Sequence, residues 1–377
     1  MENPRHLVVG RARVRKLLPG SSESFLEGMS KRRRFAHLLH WSGALKAILA
    51  LRARASPPWL SVLTYHRFES PNGDEPFDDG VVDATIEDFD RQVACLKSHF
   101  TVVGIDELCA YATGTPLPPN PVAITFDDGY LDGYEYALPI LARHGCKAIF
   151  FVPTRFITER RMYWWDRAAY FLKATTESKI HLEYPNPMDI DLSGDKLREI
   201  HRVFRVVKHQ SLDLERFLDE LAVAARVPWS RDMERQFADR LLMRWDHVRA
   251  LRNAGMDVQS HTRTHRVLQT LPESELLDEL RGSRIELERE IGGPVRSVAY
   301  PVGNPLGGSS PIRAALTAAG YELGFTNGTG PTPLWGELDP FNIRRQTVER
   351  GLPEAYLLSI LAVPPLAPKH PWHLRAK

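Results

Sequence analysis

From Trp59 onward, short apolar segments alternate with segments of helical periodicity. The apolar runs predict buried strands, and the amphipathic stretches between them predict helices. This alternation is typical of a parallel sheet covered by helices. The predicted strands are Leu60–Tyr65, Phe100–Val103, Pro121–Phe126, Lys147–Val152, Met256–Ser260, Val298–Tyr300, Leu323–Thr326 and Phe341–Thr347. The predicted helices lie near 86–98, 105–112, 131–144, 244–254, 272–291, 310–319 and 353–362.

The order of these elements predicts the α/β class. It fits a (β/α) barrel at least as well as an open doubly wound sheet, with the repeating units at 56–154 and 246–362. The first strand is not followed by Gly-x-Gly-x-x-Gly, and the chain has no Walker-type Gly-Lys-Ser/Thr. The sequence therefore gives no support for nucleotide binding.

About a hundred residues between Val152 and Met256 contain no clear strand. A loop of that length is uncommon in a compact domain, so we predict a helical insertion at 155–245 that forms a cap or lid. It opens with Tyr163-Trp164-Trp165-Asp166. Adjacent tryptophans point in different directions on a helix, so one ring could face a cleft and receive a sugar. For either ring alone, core packing is the simpler interpretation.

The first 55 residues form a basic leader. They hold 12 Lys/Arg against 3 Asp/Glu, whereas the remaining chain holds 37 against 44. The cluster 31–34 precedes the apolar stretch Phe35–Leu51, as in a signal peptide. That stretch contains two histidines and a lysine, and no convincing small-residue cleavage site follows. Both a secretion signal and a membrane span are disfavoured, and we expect a cytoplasmic protein.

The apolar stretch of the leader predicts one amphipathic helix. Such a helix could contact anionic lipid as a peripheral membrane anchor, or it could pack on the surface of the domain. We expect part of 1–28 to be disordered and 363–377 to be a Pro-rich tail. The three cysteines are too few and too scattered for a disulfide framework.

The most informative local pattern is the strand Pro121–Phe126 followed by Asp127, Asp128 and Gly129. The same tetrapeptide, Phe-Asp-Asp-Gly, occurs at 77–80 without a preceding strand, so the four letters alone carry little information. The position after a strand carries more, because the catalytic groups of α/β barrels lie at the carboxyl ends of strands.

A second pattern, Ser260-His261-Thr262-Arg263-Thr264-His265, follows another predicted strand. Two histidines four residues apart can bind one metal ion, and together with one carboxylate they leave coordination positions open for catalysis. The second carboxylate of the Asp pair could then accept the proton of a water molecule. Adjacent carboxylates fit a glycosidase poorly. A non-haem iron oxygenase is an alternative, but it gives the second Asp no task.

The motifs 125–130 and 261–265, with the proline-rich lead-in 116–121, resemble the first two motifs of the polysaccharide deacetylases, the chitin-deacetylase-like carbohydrate esterases. The resemblance covers about residues 60–350 apart from the insertion. It implies a distorted (β/α) barrel of about seven strands and a divalent metal, with zinc expected. By this resemblance, Asp128, His261 and His265 hold the metal, Asp127 is the general base, and the backbone N–H of Tyr130 stabilises the oxyanion.

The third motif departs from the family pattern. The family usually carries an arginine before Pro-x-Gly, whereas this chain has Tyr300-Pro301-Val302-Gly303. We assign Tyr300, Pro301 and Gly303 to substrate or oxyanion contacts on this resemblance. A clear Leu-x-His that would supply the usual general acid is also missing near the end of the chain.

Both departures are similar to the exopolysaccharide branch of the family, the poly-N-acetylglucosamine deacetylases. In that branch an early Tyr-His motif supplies the acid, which corresponds to His66 in Leu63-Thr64-Tyr65-His66-Arg67. A buried histidine bonded to backbone is the alternative. Arg345 could replace the missing arginine and orient Asp127, although Arg344 and Arg345 could equally be solvated charges at a sheet edge.

Together these features predict a metal-dependent hydrolase that removes N-acetyl groups from N-acetylhexosamine units of a polysaccharide or glycan intermediate. The expected partner is an acetylated glycan, and no nucleic acid is expected. The alternative is a catalytically impaired glycan-binding protein of the same fold, since the third and last motifs are incomplete.

Overall fold

The core of the molecule is a sheet that is almost closed into a barrel. A computed structural model describes residues 31–55, 57–70, 75–210, 212–335 and 338–363. The strands are β1 (Trp59–Tyr65), β2 (Arg67–Phe68), β3 (Val82–Ala84), β4 (Thr101–Val102), β5 (Pro121–Phe126), β6 (Ile149–Val152), β7 (Lys179–Leu182), β8 (Met188–Asp191), β9 (Asp257–Ser260), β10 (Ser297–Ala299), β11 (Leu323–Thr326), β12 (Thr332–Pro333), β13 (Ile343–Arg344) and β14 (Gln346–Thr347).

Parallel strands run around the barrel in the order β1, β5, β6, β9, β10 and β11. The closing segment lies between β11 and β1: β13 pairs in parallel with β11, and β14 pairs in parallel with β1. Only Arg345 separates these two short strands. The six parallel strands and the closing segment together confirm the predicted barrel of about seven strands. The closing segment changes its pairing partner at Arg345.

Helices cover the outside of the barrel and form most of the insertion. They are α1 (Lys31–Trp41), α2 (Ala44–Ala55), α3 (Ile86–His99), α4 (Ile105–Ala112), α5 (Leu138–His144), α6 (Thr154–Glu159), α7 (Trp164–Ala174), α8 (Lys196–His209), α9 (Leu214–Ala224), α10 (Arg231–Leu241), α11 (Trp245–Asn253), α12 (Glu273–Ile291), α13 (Ser310–Ala319) and α14 (Glu354–Ala362). A π-helical turn, Gly133–Ala137, precedes α5, so the helix predicted at 131–144 begins irregularly.

The insertion has its own hydrophobic core, which includes Phe171, Phe217 and Leu218. It is not purely helical, because β7 and β8 form an antiparallel hairpin that the sequence reading missed. The reason is the weakness of the signal: each strand has four residues, and only every second one is buried in β7. The hairpin packs against α9 and α8.

Within residues 31–55, the described part of the leader, two helices are present where one was predicted. The chain turns at Gly43, whose φ of 76° is favourable only for glycine, and α1 ends before it. Ala36, Leu45 and Leu49 are buried against the barrel domain, where α1 and α2 contact α14. None of the helices in the described ranges combines the length and apolarity needed to cross a bilayer. The disorder predicted within 1–28 lies outside the described residues, as does the predicted tail 363–377 apart from Val363.

Candidate active site

The paired aspartates lie directly after β5, at the carboxyl end of the barrel. Asp128 has φ 68° and Gly129 has φ 62°, so the chain makes a left-handed turn at these two residues. Such a conformation is unfavourable for Asp and is typical of functional sites, where surrounding contacts maintain it. The turn sends the two carboxylates to different partners.

Asp127 is paired with Arg345. The two guanidinium nitrogens Nη1 and Nη2 donate to its carboxylate oxygens at 2.7 and 2.8 Å, and both side chains are buried. Burial by itself favours the neutral acid, but the Arg345 charge and the nearby His261 hold the pKa of Asp127 below its ordinary value. Arg345 also donates to the carbonyl oxygen of Thr326 at the end of β11. Asp127 is therefore an ionised carboxylate in a fixed orientation.

Asp128 lies against the two histidines of the second motif. The Nε2 atoms of His261 and His265 are each 3.2 Å from its Oδ1. The ligand atoms of these three residues all lie within 4.8 Å of one another. The structure thus brings together the three side chains that the family resemblance assigned to a metal.

The position of the proton on the His261 ring indicates whether this cluster suits a cation. Its Nδ1 lies 2.8 Å from the carbonyl oxygen of Ala299, which can only accept, so Nδ1 carries a proton. In the neutral imidazole, Nε2 is then an acceptor that faces the Oδ1 of Asp128, a second acceptor. A cation between them resolves this contact, and the Nδ1–H to carbonyl bond is the usual second-shell arrangement of metal-binding histidines. The three residues therefore fit a divalent metal.

The pKa directions agree with this donor set. Burial lowers the pKa of His265, which favours the neutral imidazole that metal binding requires. Burial opposes ionisation of Asp128, but the facing imidazoles of His261 and His265 hold its pKa well below the ordinary value. A neutral imidazole at His265 and an ionised carboxylate at Asp128 both suit a metal site.

His66 follows β1 and lies on the same face of the barrel. Its Nδ1 is 3.0 Å from Oδ2 of Asp83, which also accepts from the His66 backbone N–H at 2.5 Å. Burial lowers the pKa of an isolated imidazole, but the Asp83 carboxylate outweighs it, with smaller contributions from Asp128 and Asp127, and raises the pKa of His66 to about 9. The side chain is therefore protonated at neutral pH.

The backbone N–H and the side chain of Tyr130 have different surroundings. The bridge between the Tyr130 segment and Leu242 uses the N–H groups of Leu131 and Met243, so the N–H of Tyr130 is not consumed there. The hydroxyl donates to Asp166 at 2.8 Å and accepts from Nε1 of Trp165 at 2.9 Å. The side chain thus joins the insertion, and only the backbone can act on a substrate.

The third motif differs from its prediction in one respect. The Tyr300 ring is buried in the core, and its hydroxyl donates to the carbonyl oxygen of Phe341 at 3.0 Å. Its side chain is therefore not available to substrate, because it points away from the site into the packing between strands. Pro301 and Gly303 are also buried, so a substrate contact of this loop stays a prediction for its backbone.

Two residues near the site escaped the sequence analysis. Asp83 is an isolated acid in β3, and only the pairing of β3 with β2 brings it to His66. Tyr163 was noted as part of an aromatic cluster, but no role was assigned to it. Its hydroxyl donates to the carbonyl oxygen of Asp128 at 2.5 Å, a contact between elements that no local pattern could reveal.

Comparison with known proteins identifies the family. A family model described as polysaccharide deacetylase matches residues 114–324, more than half of the chain. The chain belongs to the polysaccharide deacetylase family. As a polysaccharide deacetylase, it is a hydrolase that acts on non-peptide C–N bonds. The matched range contains Asp127, Asp128, His261 and His265 and leaves out His66 and Arg345.

The solved structure of another deacetylase supports the fold. The Streptococcus pyogenes deacetylase PplD, solved in complex with acetate, is 16% identical over 81% of this chain and 99% of its own, with a TM-score of 0.52. IcaB from Ammonifex degensii is 18% identical over 81% and 98% of the two chains, with a TM-score of 0.49. No curated protein matches the deacetylase in sequence.

Proposed function

We propose that this deacetylase is a metal-dependent amide hydrolase that removes N-acetyl groups from N-acetylhexosamine units of a polysaccharide or glycan intermediate. The observation that carries the proposal is the 3.2 Å contact between Nε2 of His261 and Oδ1 of Asp128, because both atoms are acceptors when the imidazole is neutral and a cation between them satisfies both. Asp128, His261 and His265 would hold the metal, most suitably Zn²⁺, since two imidazoles and one carboxylate leave a position open. A metal bound there lowers the pKa of water and polarises the acetyl carbonyl.

Asp127 is the proposed general base. It accepts a proton from the attacking water while the new C–O bond forms at the acetyl carbon. Arg345 supports this role in two ways: it keeps the carboxylate ionised, and its two hydrogen bonds fix the direction of the oxygens. The N–H of Tyr130 is the proposed donor to the negative charge that develops on the former carbonyl oxygen.

His66 is the proposed general acid. When the C–N bond breaks, the leaving amine nitrogen needs a proton, and an imidazolium held by Asp83 can donate it. The products are acetate and a free amino sugar. The position of His66 directly after β1, in the early Tyr-His motif, supports our assignment to the exopolysaccharide branch.

The decisive experiment is acetate release from short N-acetylglucosamine oligomers. We expect chelation to abolish release and Zn²⁺ add-back to restore it. Metal-bound protein that releases no acetate from any acetylated glycan would instead favour the glycan-binding alternative. O-acetylated oligomers tested in parallel distinguish amide from ester hydrolysis.

We also propose that the outer face of α1 and α2 contacts an anionic lipid surface from a cytoplasmic location. This face carries exposed apolar side chains, of which Trp41 is 80% and Leu51 is 66% exposed. Residues 31–55 contain seven Lys/Arg and no Asp/Glu. Arg52 is buried and Arg33 pairs with Glu349, but the positive charge of the segment as a whole complements anionic lipid headgroups. The opposite face of the two helices packs on the barrel domain, so the helices would lie on the membrane rather than cross it.

A further inference from the structure

The start of the insertion reaches over the proposed metal site. Tyr163 is the residue that caps α7, and its side chain lies beside both motifs that supply ligands. Its hydroxyl donates to the Asp128 carbonyl oxygen at 2.5 Å, and its ring centroid is 5.5 Å from that of His265. One insertion residue thus touches ligands from β5 and from the loop after β9.

The Tyr163 ring is clamped on both faces. Phe156 stacks on it with ring centroids 4.4 Å apart, and Trp165 stacks with the same separation and an interplanar angle of 4°. Trp165 is held in turn by its Nε1–H, which donates to the Tyr130 hydroxyl, and its ring lies 5.2 Å from that of His265. Tyr163 is only 1% exposed, so it does not meet substrate and has little freedom to move.

Tyr163 contacts two metal-ligand residues, Asp128 and His265, whose backbone conformations need stabilising contacts. Asp128 has φ 68° and His265 has φ 55°, and both are left-handed conformations that non-glycine residues rarely adopt. Such conformations persist only where surrounding contacts determine them. The hydroxyl of Tyr163 fixes the Asp128 peptide, and the edges of the Tyr163 and Trp165 rings limit the rotation of the His265 imidazole.

We propose that Tyr163 is a positioning residue for the metal ligands, so that the insertion is part of the metal site as well as its cover. The proposal rests on the proposed function in that a divalent metal binds at Asp128, His261 and His265. Tyr163 acts through those ligands and touches neither metal nor substrate.

The test compares Tyr163→Phe with the wild-type full chain, using Zn²⁺ alone and Co²⁺ alone as probes. The variant keeps the ring stack and loses only the hydrogen bond to Asp128. We expect Zn²⁺ affinity to fall by about tenfold, as is typical when an outer-shell partner is lost. The visible absorption of bound Co²⁺ should also change, because it reports ligand geometry, which a merely structural residue would leave unaltered.

Tyr170→Phe is the matched control, because Tyr170 lies on α7, the helix that Tyr163 caps, and packs on Phe77 and on Phe237 of the insertion. It should keep wild-type affinity and spectrum. If Tyr163→Phe does not fold, Trp165→Phe, which loses the bond to Tyr130, should show the same direction of change. Wild-type affinity and spectrum in the folded variants would overturn the proposal. Failure of the wild-type chain to bind either metal would overturn the proposed function, and this inference with it.

Discussion

Arg345 and Asp127 form a two-pronged ion pair across the top of the barrel, although 218 residues separate them in sequence. Arg345 lies at the point where the closing segment changes from pairing with β11 to pairing with β1. The interruption of that strand turns the guanidinium into the barrel interior. The geometry of the base is therefore tied to the closure of the sheet.

Arg345→Lys should lower kcat/KM by about 100-fold, because one ammonium cannot hold both carboxylate oxygens. Arg345 lowers the pKa of Asp127 against the opposing effect of burial, so weaker pairing raises that pKa. Activity requires ionised Asp127, so the acidic limb of the rate profile should move to higher pH in the variant. A pH profile of kcat/KM measures the shift. Arg344→Lys, at the exposed neighbour, should leave the profile unchanged.

Asp128→Ala and Asp127→Asn should separate metal binding from catalysis. The first variant loses a ligand, so bound metal and acetate release should disappear together. The second keeps the ligand set and loses the base, so metal content should stay stoichiometric while turnover is lost. Elemental analysis of dialysed protein beside the acetate assay gives both values. Full deacetylation with stoichiometric metal in Asp128→Ala would show that the ligand assignment is wrong.

His66→Gln should reduce turnover without changing metal content, since it removes the proton donor alone. The raised pKa of His66 means that its acid form is present below about pH 9 and is lost as the pH rises through that value. A bound cation repels the imidazolium and lowers this limit. Asp83→Asn removes the stabilising charge, so the alkaline limb of the rate profile should move to lower pH. An unaltered rate and profile in His66→Gln would remove His66 as the acid.

Gly303→Ala should destabilise the loop after β10. A Cβ there would lie 2.4 Å from Cγ and 2.5 Å from Cβ of Asn327, and the φ of 72° adds strain. Gly307→Ala is the control, since Gly307 has φ 54° and open space around it. We expect the free energy of unfolding to fall by about 2 kcal/mol more for Gly303→Ala than for the control, as measured by urea denaturation. Equal losses would mean that the contact with Asn327 is unimportant.

Trp41→Ser should weaken binding to liposomes that contain phosphatidylglycerol. Wild-type protein should co-sediment with these vesicles more than with pure phosphatidylcholine, and added salt should reduce the difference. Val223→Ser is the control, because Val223 is an apolar side chain of similar exposure, 78%, that lies on α9 in the insertion. Equal binding to both lipids, or equal losses in the two variants, would contradict the proposed membrane contact.

The sequence was sufficient for the groups that sit in contiguous motifs. Asp127 and Asp128 follow β5, and His261 and His265 follow β9, so barrel geometry brings the four side chains together. The strands predicted at 121–126 and 323–326 have the observed bounds. Continuous apolar runs were a sufficient signal here because these strands are buried on both faces.

The sequence was insufficient where a contact depends on the packing of elements that are distant along the chain. Asp83 lies in a three-residue strand, and its role follows only from the pairing of β3 with β2. The Tyr163 contact depends on the packing of the whole insertion over the barrel. The break between α1 and α2 was missed because Ser42 and Gly43 interrupt an apolar pattern that otherwise continues.

The partner change at Arg345 has a consequence for the time at which the site forms during synthesis. Ribosomes deliver β1, β5 and β9 long before residues 343–347, and domains fold as their chain emerges. A nascent chain can therefore place its aspartates and histidines on a partial sheet, yet Asp127 has no guanidinium partner until the closing segment leaves the exit tunnel. Competence for hydrolysis is thus a late event on the ribosome, and chains stalled before residue 345 should be inert.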